Sequence, residues 1–485
     1  MSKLSLEAEA PALLAELTDA NLAFASRYRG APESRQPVHT VYGGAQLFTA
    51  QIAQRLGRGA RANLEAYAAD PFEFARAMGL RGADRLPRKK EAVRALWKKV
   101  RRDPARARRD DPDAWLAVTV YERVQKKLEQ EPVEDFRIDF EDGFGHRPDA
   151  EEDAAAIAAA NEVARGAREG TLPAFIGIRI KALNEELKHR AARTLDLFFT
   201  TLIQALDGAL PDPIVVTLPK VPVPEQVTAL ARMLDLIERK NGLAKGLIKI
   251  ELMIELTQTL FDPEGRFQLA ALVDAADGRC TAAHFGTYDY TATNDITAAY
   301  QTMSHPTCQL ALGLMKIAYS GTPIVLSDGA TNVLPVPIHR PKKGKKGKPE
   351  KLSKRQRQEN RAAVHGAWAL AYRHIRGSLE NGIYQGWDLH PGQLPVRYAA
   401  TFAFFLEGFD AAAARLSNFI DKAAQATLVG DVFDDAATGQ GLLNYFLRAL
   451  NAGAVTLEEL EVTGLTREEI ATRSFRKILE GRGAS

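Results

Sequence analysis

The spacing of hydrophobic and polar positions changes at about residue 133. Before this point, segments such as EAPALLAELTDANLAFASRY and ANLEAYAADPFEFARAMGL place apolar residues three to four positions apart, which predicts amphipathic helices. A β-prone patch with a Gly pair, VHTVYGGAQLF (38–48), interrupts them. The basic segment RLPRKKEAVRALWKKVRRDPARARRDD is predicted to be helical in its middle and to end near Pro104. We therefore expect residues 1–132 to form a mainly helical N-terminal extension.

After residue 133, short apolar strands alternate with amphipathic helices. The predicted strands are FRIDFED (136–142), AFIGIRI (174–180), PIVVTLPK (213–220), LIKIELMIEL (247–256), TAAHFG (281–286) and TPIVLS (322–327). Six strand–helix steps favour a parallel sheet covered by helices, and the length suits the roughly 250 residues of an eight-stranded barrel. An open doubly wound sheet would need a Gly-rich phosphate turn where the chain reads DFEDGFG. We therefore predict an α/β fold, a (β/α)8 TIM barrel, over residues 133–405.

Two further segments complete the expected organisation. HRPKKGKKGKPEKLSKRQRQENR (339–361) is predicted to be a flexible basic insertion within the barrel domain, because it combines Lys, Gly and Pro with almost no apolar residue. Ala-rich helical patterns at 410–426, 436–451 and 456–482 predict a C-terminal helical cap, residues 406–485.

The formal charge of +3 hides an uneven distribution. Residues 81–109 carry 13 Lys/Arg and 3 acids, and residues 340–361 carry 11 and 2, which leaves 40 basic and 56 acidic residues elsewhere. A body this acidic is not typical of a nucleic-acid binder. Charge runs are more often solvated surfaces than binding sites.

Other compositional features exclude several classes of protein. The chain has only two cysteines, Cys280 and Cys308, which excludes a disulfide scaffold and a cysteine-ligated metal cluster. The N-terminus has acids within its apolar stretch, unlike a signal peptide. No apolar run approaches the roughly 20 residues that cross a bilayer. We expect a cytoplasmic protein with no membrane partner.

Polar residues at the carboxyl ends of the predicted strands are the candidate site, because TIM barrels place catalysis there. These residues are Asp139, Glu141, Asp142, Arg179, Lys220, Glu255, His284, Asp289 and the later His390. Carboxylates gathered at a barrel mouth favour a hard cation such as Mg²⁺, which keeps positions for water and substrate oxygens. Neither an H-x-x-x-H nor a C-x-x-C pair is present, which disfavours zinc.

Each of these residues also has a structural alternative. Glu255 could cap a buried strand or pair with Lys249, although an acid at the end of so apolar a strand needs a partner. Arg179 could pair with Asp142, and Asp289 could cap the next turn. The remaining candidates could be charge partners or hydrogen-bonded structural side chains: Lys220, His39, His284 and His390.

The order of the motifs DFED, IRIK, TLPK, MIEL, FGTYDY and WDLHPGQ resembles the superfamily that contains the citrate lyase beta subunit, malyl-CoA lyase, the HpcH/HpaI aldolases and malate synthase. HPGQ (390–393) is most similar to the lyase and aldolase branch. In contrast, IERKNGLAKGLIKIELMIEL, SDGATNVLPVP and FDDAAT (433–438) are more similar to malate synthase. The resemblance covers residues 133–450 and implies a phosphoenolpyruvate/pyruvate-type TIM barrel intermediate between the malyl-CoA/citrate lyases and malate synthase.

The resemblance implies roles for individual residues. Glu255 and Asp289 would hold Mg²⁺ or Mn²⁺ together with oxygens of a 2-oxo acid, and Arg179 would stabilise the charge that develops there. In FDDAAT, Asp435 matches the base of malate synthase, with Asp434 as a second candidate. The remaining substrate-binding residues would be Gly286, Thr287, Lys220, Asp139, Asp142 and His390.

The chain also departs from both branches. Glu255 and Asp289 are 34 residues apart, a longer spacing than usual, because DPEGRFQ (262–268) extends the connection. Lys181 stands where malate synthases carry a second Arg. The substrate is therefore not inherited from either branch.

The expected function is a Mg²⁺-dependent carbon–carbon lyase or synthase that works through an enolate on an acyl-CoA and a small 2-oxo acid. One alternative is a CoA-independent class II pyruvate-type aldolase. Another is a non-catalytic barrel that binds RNA or a different polyanion through its basic segments. Lyase relatives form trimers or hexamers and malate synthases are often monomeric, so the resemblance leaves a homo-oligomer open.

Overall fold

The computed structural model describes residues 6, 10–32, 34–341, 351–425 and 436–483. Eight parallel strands close into a barrel in chain order, with β8 pairing back onto β1. The strands are β1 His39–Gly44, β2 Asp135–Asp139, β3 Phe175–Arg179, β4 Ile214–Leu218, β5 Ile248–Ile254, β6 Cys280–Phe285, β7 Val325–Ala330 and β8 Gln385–Asp388. The predicted (β/α)8 barrel is confirmed.

Helices surround the barrel and extend from both of its sequence ends. Those before β2 are α1 Ala10–Arg27, α2 Ile52–Tyr67, α3 Pro71–Met78, α4 Lys90–Arg102, α5 Pro104–Asp110 and α6 Pro112–Gln130. Those between later strands are α7 Asp149–Glu169, α8 Lys188–Ala205, α9 Pro224–Lys240, α10 Leu269–Asp274, α11 Thr287–Thr293, α12 Pro306–Tyr319 and α13 Lys354–Glu380. Those after β8 are α14 Leu394–Gln425, α15 Ala436–Asn451, α16 Leu457–Leu460, α17 Arg467–Thr472 and α18 Phe475–Gly483.

The barrel begins earlier in the chain than the change of pattern at residue 133 indicates. The isolated β-prone patch forms β1, and Val41 pairs with Phe136 of β2 on one side and Asp388 of β8 on the other. Helices α2–α6 therefore connect β1 to β2 and do not precede the barrel. A single strand among helices gives little local signal, because its partners lie about 95 and 350 residues away in sequence.

The basic segments are more structured than expected. Helix α4 ends before Pro104, as predicted. Beyond it, Arg108 stacks over Trp115 at 4.5 Å and pairs with Asp410 at 2.7 Å. The expected loop at 339–361 becomes helical from Lys354, because Ser353 and Gln356 form a reciprocal capping box at the start of α13. Residues 342–350 lie outside the described part of the chain.

None of the described helices combines the length and the apolar character needed to cross a membrane.

Parallel pairing determines which side chains meet at the mouth of the barrel. Asp139 at the end of β2 is in register with Arg179 at the end of β3. Ile254 at the end of β5 is in register with Phe285 at the end of β6. Because parallel strands all end at the same rim, the polar residues that follow these positions converge there.

Candidate functional site

Four acids gather around one lysine at the carboxyl ends of β2, β4, β5 and β6. Nζ of Lys220 lies 2.5 Å from Glu141, 3.6 Å from Asp142 and 3.8 Å from Asp289. Burial would lower the pKa of Lys220, but the charges of Glu255 and Glu141 raise it. We call Glu141, Asp142, Lys220, Glu255 and Asp289 the mouth cluster. All five come from the strand ends that the sequence singles out.

Glu255 is the buried member of the mouth cluster. Its Oε1 accepts the main-chain N–H of Lys220 at 2.7 Å, whereas its Oε2 has no hydrogen-bond partner among the described residues. Burial raises the pKa of Glu255 to about 8, and the negative charges of Glu141 and Asp289 act in the same direction. The alternative partner Lys249 instead donates to the carbonyl of Gly246. Glu255 is therefore a buried carboxyl that lacks a full set of partners.

Arg179 is held at the edge of the mouth cluster by a two-point contact with Asp139. Nε and Nη2 of Arg179 donate to the two carboxylate oxygens of Asp139 at 2.7 and 2.5 Å. Nη1 lies 3.0 Å from Glu141 but 3.7 Å from Asp142, so the expected pairing with Asp142 is the weaker contact. The guanidinium also lies over the ring of Tyr42, 4.9 Å from its centroid. Its orientation is fixed before any ligand binds.

Asp139 uses both of its carboxylate oxygens in contacts within the fold. Besides Arg179, it accepts the main-chain N–H groups of Glu141 and Gly143 at 2.9 and 2.7 Å. Burial would raise the pKa of Asp139, but Arg179 and these hydrogen bonds lower it. The structure thus gives Asp139 the role of organising the loop after β2, and direct substrate binding by this residue stays a prediction.

The turn from β6 into α11 brings Asp289 to the mouth. The Asp289 side chain is 41% exposed and does not cap α11. A Cβ on Gly286 would lie 2.6 Å from Oε2 of Glu255, so glycine leaves the room that the carboxyl occupies. The hydroxyl of Thr287 is buried without a hydrogen-bond partner among the described residues. Substrate binding by Gly286 and Thr287 stays a prediction.

An apolar cleft of about 140 Å³ opens at the carboxyl ends of β1 and β8. It is lined by residues that follow or belong to β1 and β8, among them Tyr42, Leu47, Leu389 and His390. Nδ1 of His390 accepts the N–H of Gly392 at 3.0 Å, and burial lowers the pKa of His390. His390 is thus a neutral, turn-forming side chain that also faces a cleft.

A buried polar network fills the barrel beneath the mouth. Glu251 accepts from Arg137 and Thr217 at 2.7 Å each, and Nε2 of His284 lies 3.0 Å from its carboxylate. Nδ1 of His284 is 3.2 Å from the hydroxyl of Tyr42. Burial would raise the pKa of Glu251, but Arg137 and His284 hold it well below its usual range. These contacts agree with the interpretation of His284 as a hydrogen-bonded structural side chain.

His39 is likewise embedded in the barrel wall. Its Nε2 accepts the main-chain N–H of Glu134 at 3.1 Å, and Nδ1 lies 2.8 Å from Asp388. Both ring nitrogens are therefore used within the fold.

Two departures from the family patterns have local explanations. Nζ of Lys181 donates to the carbonyl of Phe140 at 2.5 Å and lies 2.8 Å from Glu152. This lysine therefore links the residue that follows β2 to helix α7. The extra residues 262–268 form a turn in which Phe261 pairs with Phe267 in an antiparallel bridge. This turn lengthens the chain between Glu255 and Asp289 while both still reach the mouth cluster.

Sequence reasoning gives Glu141 only a role shared with the other DFED acids, that of shaping the water shell of the metal, and does not single out Tyr42. Glu141 lies closest to Lys220 and also contacts Arg179, but in the sequence it is one of three acids in DFED. Tyr42 belongs to β1, which is hidden among predicted helices. Alternation in HTVYGG points Tyr42 and Thr40 to the same side, a signal that becomes useful once the segment is known to be a strand.

The candidate bases Asp434 and Asp435 lie outside the described residues, and their role stays a prediction.

The mouth cluster fits Mg²⁺ on two grounds. Oε2 of Glu255 is a buried, unpartnered oxygen, and the neighbouring donors are hard carboxylate oxygens. Within the described ranges, no three His, Cys, Asp or Glu residues are arranged to hold a metal ion. Mg²⁺ usually takes only one or two protein carboxylates, with water and substrate completing its shell. The assignment of Glu255 and Asp289 as the metal-holding pair stays a prediction.

The chain matches one family model and is similar to several solved structures. The family model described as "Domain of unknown function (DUF6986)" matches residues 17–478. No curated protein sequence matches the chain. A citrate lyase from Burkholderia xenovorans LB400 is 17% identical, with 71% of this chain and 92% of that chain covered and a TM-score of 0.49. The lead(II) complex of Haloferax volcanii malate synthase is 13% identical, with 77% and 94% covered and a TM-score of 0.42. These sequence identities and TM-scores are too low to support an argument about activity. The fold assignment rests on the closed strand order of this chain.

Proposed function

The chain belongs to the family described as a domain of unknown function, DUF6986, and we propose that it is a Mg²⁺-dependent carbon–carbon lyase or synthase. It would work through an enolate on an acyl-CoA and a small 2-oxo acid. The observation that carries the proposal is the carboxyl of Glu255, which is buried at a barrel mouth, lacks a partner on Oε2 and has its pKa raised to about 8. Such a group is stabilised by a cation that takes its proton's place.

Glu255 and Asp289 are the proposed metal-holding residues. When bound there, Mg²⁺ would polarise the carbonyl of a 2-oxo acid and offset negative charge that develops as a carbon–carbon bond forms or breaks. The N–H of Lys220 orients the Glu255 carboxyl, since it donates to Oε1 and leaves Oε2 directed away from that bond. Asp289, being part-exposed, supplies the second carboxylate from the solvent side.

Arg179 is the proposed group that orients and stabilises an oxyanion. Its two-point contact with Asp139 and its position over Tyr42 fix the guanidinium, which leaves Nη1 toward the mouth cluster. A charge that is already oriented costs no reorganisation when negative charge develops on the substrate. Glu141, now 3.0 Å from Nη1, would share this contact with the incoming ligand.

The apolar cleft at the carboxyl ends of β1 and β8 supports an acyl thioester as one reactant. Its volume of about 140 Å³ and its lining by Leu47 and Leu389 suit an uncharged arm, whereas the mouth cluster suits a carboxylate-bearing acid. His390 at the cleft is neutral at pH 7 because burial lowers its pKa. Because Nδ1 accepts the N–H of Gly392, Nε2 of the neutral ring carries the proton and would donate to the thioester carbonyl without a net charge.

Turnover of acyl-CoA esters with 2-oxo acids in the presence of Mg²⁺ tests the proposal. Free-thiol release and the carbon–carbon cleavage products are measured for wild type, Glu255→Gln and Glu264→Gln. Glu264 is an exposed acid in the same β5–β6 connection and serves as the matched control. We expect wild type and Glu264→Gln to turn over at equal rates and Glu255→Gln to be inactive. Full activity of Glu255→Gln would contradict the proposal.

A further variant separates the acyl-CoA reaction from a CoA-independent aldolase. If Asp435 removes the proton of the acyl-CoA methyl group, Asp435→Asn abolishes thiol release but spares cleavage of a 2-oxo acid aldol. Unchanged thiol release would remove Asp435 from this role.

A further inference from the structure

A second cavity lies at the opposite end of the barrel from the mouth cluster. Its volume is about 530 Å³, and its wall includes Val38, Val325 and Tyr384, which stand at the amino ends of β1, β7 and β8. The mouth cluster stands at the carboxyl ends. A strand of six residues at about 3.3 Å per residue separates the two by roughly 20 Å. We call this cavity the basal pocket.

The described lining of the basal pocket is cationic. Arg29, Arg448, Arg473 and Lys477 line it, and the lining residues that the structure describes include no Asp or Glu. These four cations come from the segment after α1, from α15, from the residue after α17 and from α18. Arg29 and the C-terminal segment 448–477, which are remote from each other in sequence, thus bring like charges to one cavity, which costs free energy unless an anion offsets it.

Arg448 is the fixed cation of this pocket. Its guanidinium stacks on the ring of Tyr384 at 4.1 Å, and Nη1 donates to Oε1 of Gln36 at 3.0 Å. Gln36 is itself held, since its Nε2 donates to Gln385 and to the carbonyl of Leu326 at 3.2 Å each. Burial lowers the pKa of Arg448, and only the Tyr384 hydroxyl opposes this effect. No carboxylate in the described part of the chain forms an ion pair with it.

The remaining wall supplies neutral hydrogen-bonding groups beside the cations. Gln440 and Asn444 of α15 face the cavity, and Ser474 lies at the start of α18, in the segment that also carries Arg473 and Lys477. Gln440 is positioned by its contacts with Asn444 and with the N–H of Phe475, both at 2.9 Å. Cations and amides arranged around one cavity are the features of an oxyanion site.

We propose that the basal pocket binds a small phosphorylated molecule that is distinct from the reactants at the mouth. Up to four positive charges match a ligand with two or more phosphate groups better than a single carboxylate. The volume suits a ligand of nucleotide size rather than an isolated ion. The distance of about a strand length from the mouth cluster means that this ligand does not take part in chemistry there.

Calorimetric titration with pyrophosphate and with ATP, in the absence of divalent cations, tests the proposal. Wild type should bind at least one of the two with a Kd below 1 mM at low ionic strength, and the affinity should fall as salt is added. Arg448→Gln should weaken binding by about tenfold or more, since it removes a charge-assisted contact. Lys477→Gln, an exposed substitution that leaves the packing intact, should weaken binding severalfold.

Matched variants decide whether the effect is specific. Arg476 is next to Lys477 on α18 but does not line the pocket and pairs with Glu480 instead, so Arg476→Gln should bind like wild type. Glu33 lies outside the described residues but is flanked in sequence by two lining residues, and Glu33→Gln should leave binding unchanged or tighter. The proposal is overturned if wild type binds neither probe, if Arg448→Gln and Lys477→Gln bind like wild type, or if Arg476→Gln weakens binding as much as Lys477→Gln. Weaker binding by Glu33→Gln would also contradict it.

Discussion

The main-chain N–H of Lys220 donates to Oε1 of Glu255 at 2.7 Å, and Lys220 makes this contact from a left-handed backbone conformation, with φ of 50°. Left-handed geometry costs a non-glycine residue about 1 kcal/mol or more. The same residue thus orients the buried carboxyl through its backbone and places an ammonium group among the acids through its side chain. Lys220 thus contributes to the mouth cluster through both its backbone and its side chain.

The first prediction concerns the pH dependence of stability. In the absence of divalent cations, the folded protein keeps a proton on Glu255 up to about pH 8, whereas the unfolded chain loses it near pH 4.5. The free energy of unfolding should therefore fall as pH rises from about 5 to 8, by about 3–5 kcal/mol for this group. Glu255→Gln has no proton to lose, so this contribution should be absent from its urea unfolding curves.

Glu264→Gln is the control for that comparison. Because Glu264 is exposed, this variant should keep the wild-type dependence of stability on pH. If the free energy of unfolding depended on pH in the same way for wild type and Glu255→Gln, the Glu255 carboxyl would be ionised at neutral pH.

A second prediction uses the close approach of Gly286 to Glu255. A Cβ at residue 286 would lie 2.5 Å from Cβ of Glu255 and 2.6 Å from its Oε2. Gly286→Ala should therefore displace the carboxyl, cost about 1–3 kcal/mol of stability and weaken Mg²⁺ binding by about tenfold or more. Calorimetry and urea unfolding measure the two effects.

Gly313 provides the matched substitution. A Cβ there meets nothing within 4 Å, and the residue lies inside α12. Gly313→Ala should raise the free energy of unfolding by about 0.5–1 kcal/mol and leave Mg²⁺ binding unchanged. Normal metal affinity in Gly286→Ala would mean that the position of Glu255 does not matter for the metal.

The third prediction separates positioning from packing at Asp139. Asp139→Asn removes one charge from the two-point contact with Arg179, so the guanidinium loses its fixed orientation. If Arg179 stabilises charge that develops during the reaction, kcat should fall by about a hundredfold while KM changes little. Steady-state kinetics on the substrate pair found by the turnover assay measure both parameters.

A buried ion pair elsewhere controls for a general loss of stability. Glu238 accepts from Arg279 at 2.6 Å on the outer side of the barrel, away from the mouth. Glu238→Gln should lower stability by a comparable amount with kcat unchanged. Equal losses of kcat in both variants would assign Asp139 a purely structural role.

Much of the barrel could be predicted because its strands carry strong local signals. Runs such as LIKIELMIEL are apolar, bounded by helices and repeated at regular intervals, so β2–β7 follow from pattern alone. The first strand could not be placed in the same way. HTVYGG is short and lies among helices, and only pairing with β2 and β8, which is distant in sequence, makes it a strand.

The sequence could predict which residues form the mouth cluster, but not how their side chains are arranged. Chain order places acids at the ends of several strands, and a closed parallel barrel brings those ends together. The choice of partners depends on side-chain geometry. Arg179 pairs with Asp139 and not mainly with Asp142, because registered neighbours on adjacent strands meet at the same height. The basal pocket could not be predicted from the sequence, since only the fold brings Arg29 to the cations of the C-terminal segment 448–477.

The central claim, that Glu255 and Asp289 form a Mg²⁺ site, is tested most directly by calorimetric titration with Mg²⁺ between pH 6 and 9. Because Glu255 carries a proton below about pH 8, the metal must displace it, so affinity should rise about tenfold per pH unit up to pH 8 and level off above it. Titrations in buffers of different ionisation enthalpy should show release of about one proton at pH 7. Glu255→Gln and Asp289→Asn should bind Mg²⁺ far more weakly, and Glu264→Gln should match wild type. A Mg²⁺ affinity that does not change with pH and survives both substitutions would contradict the account.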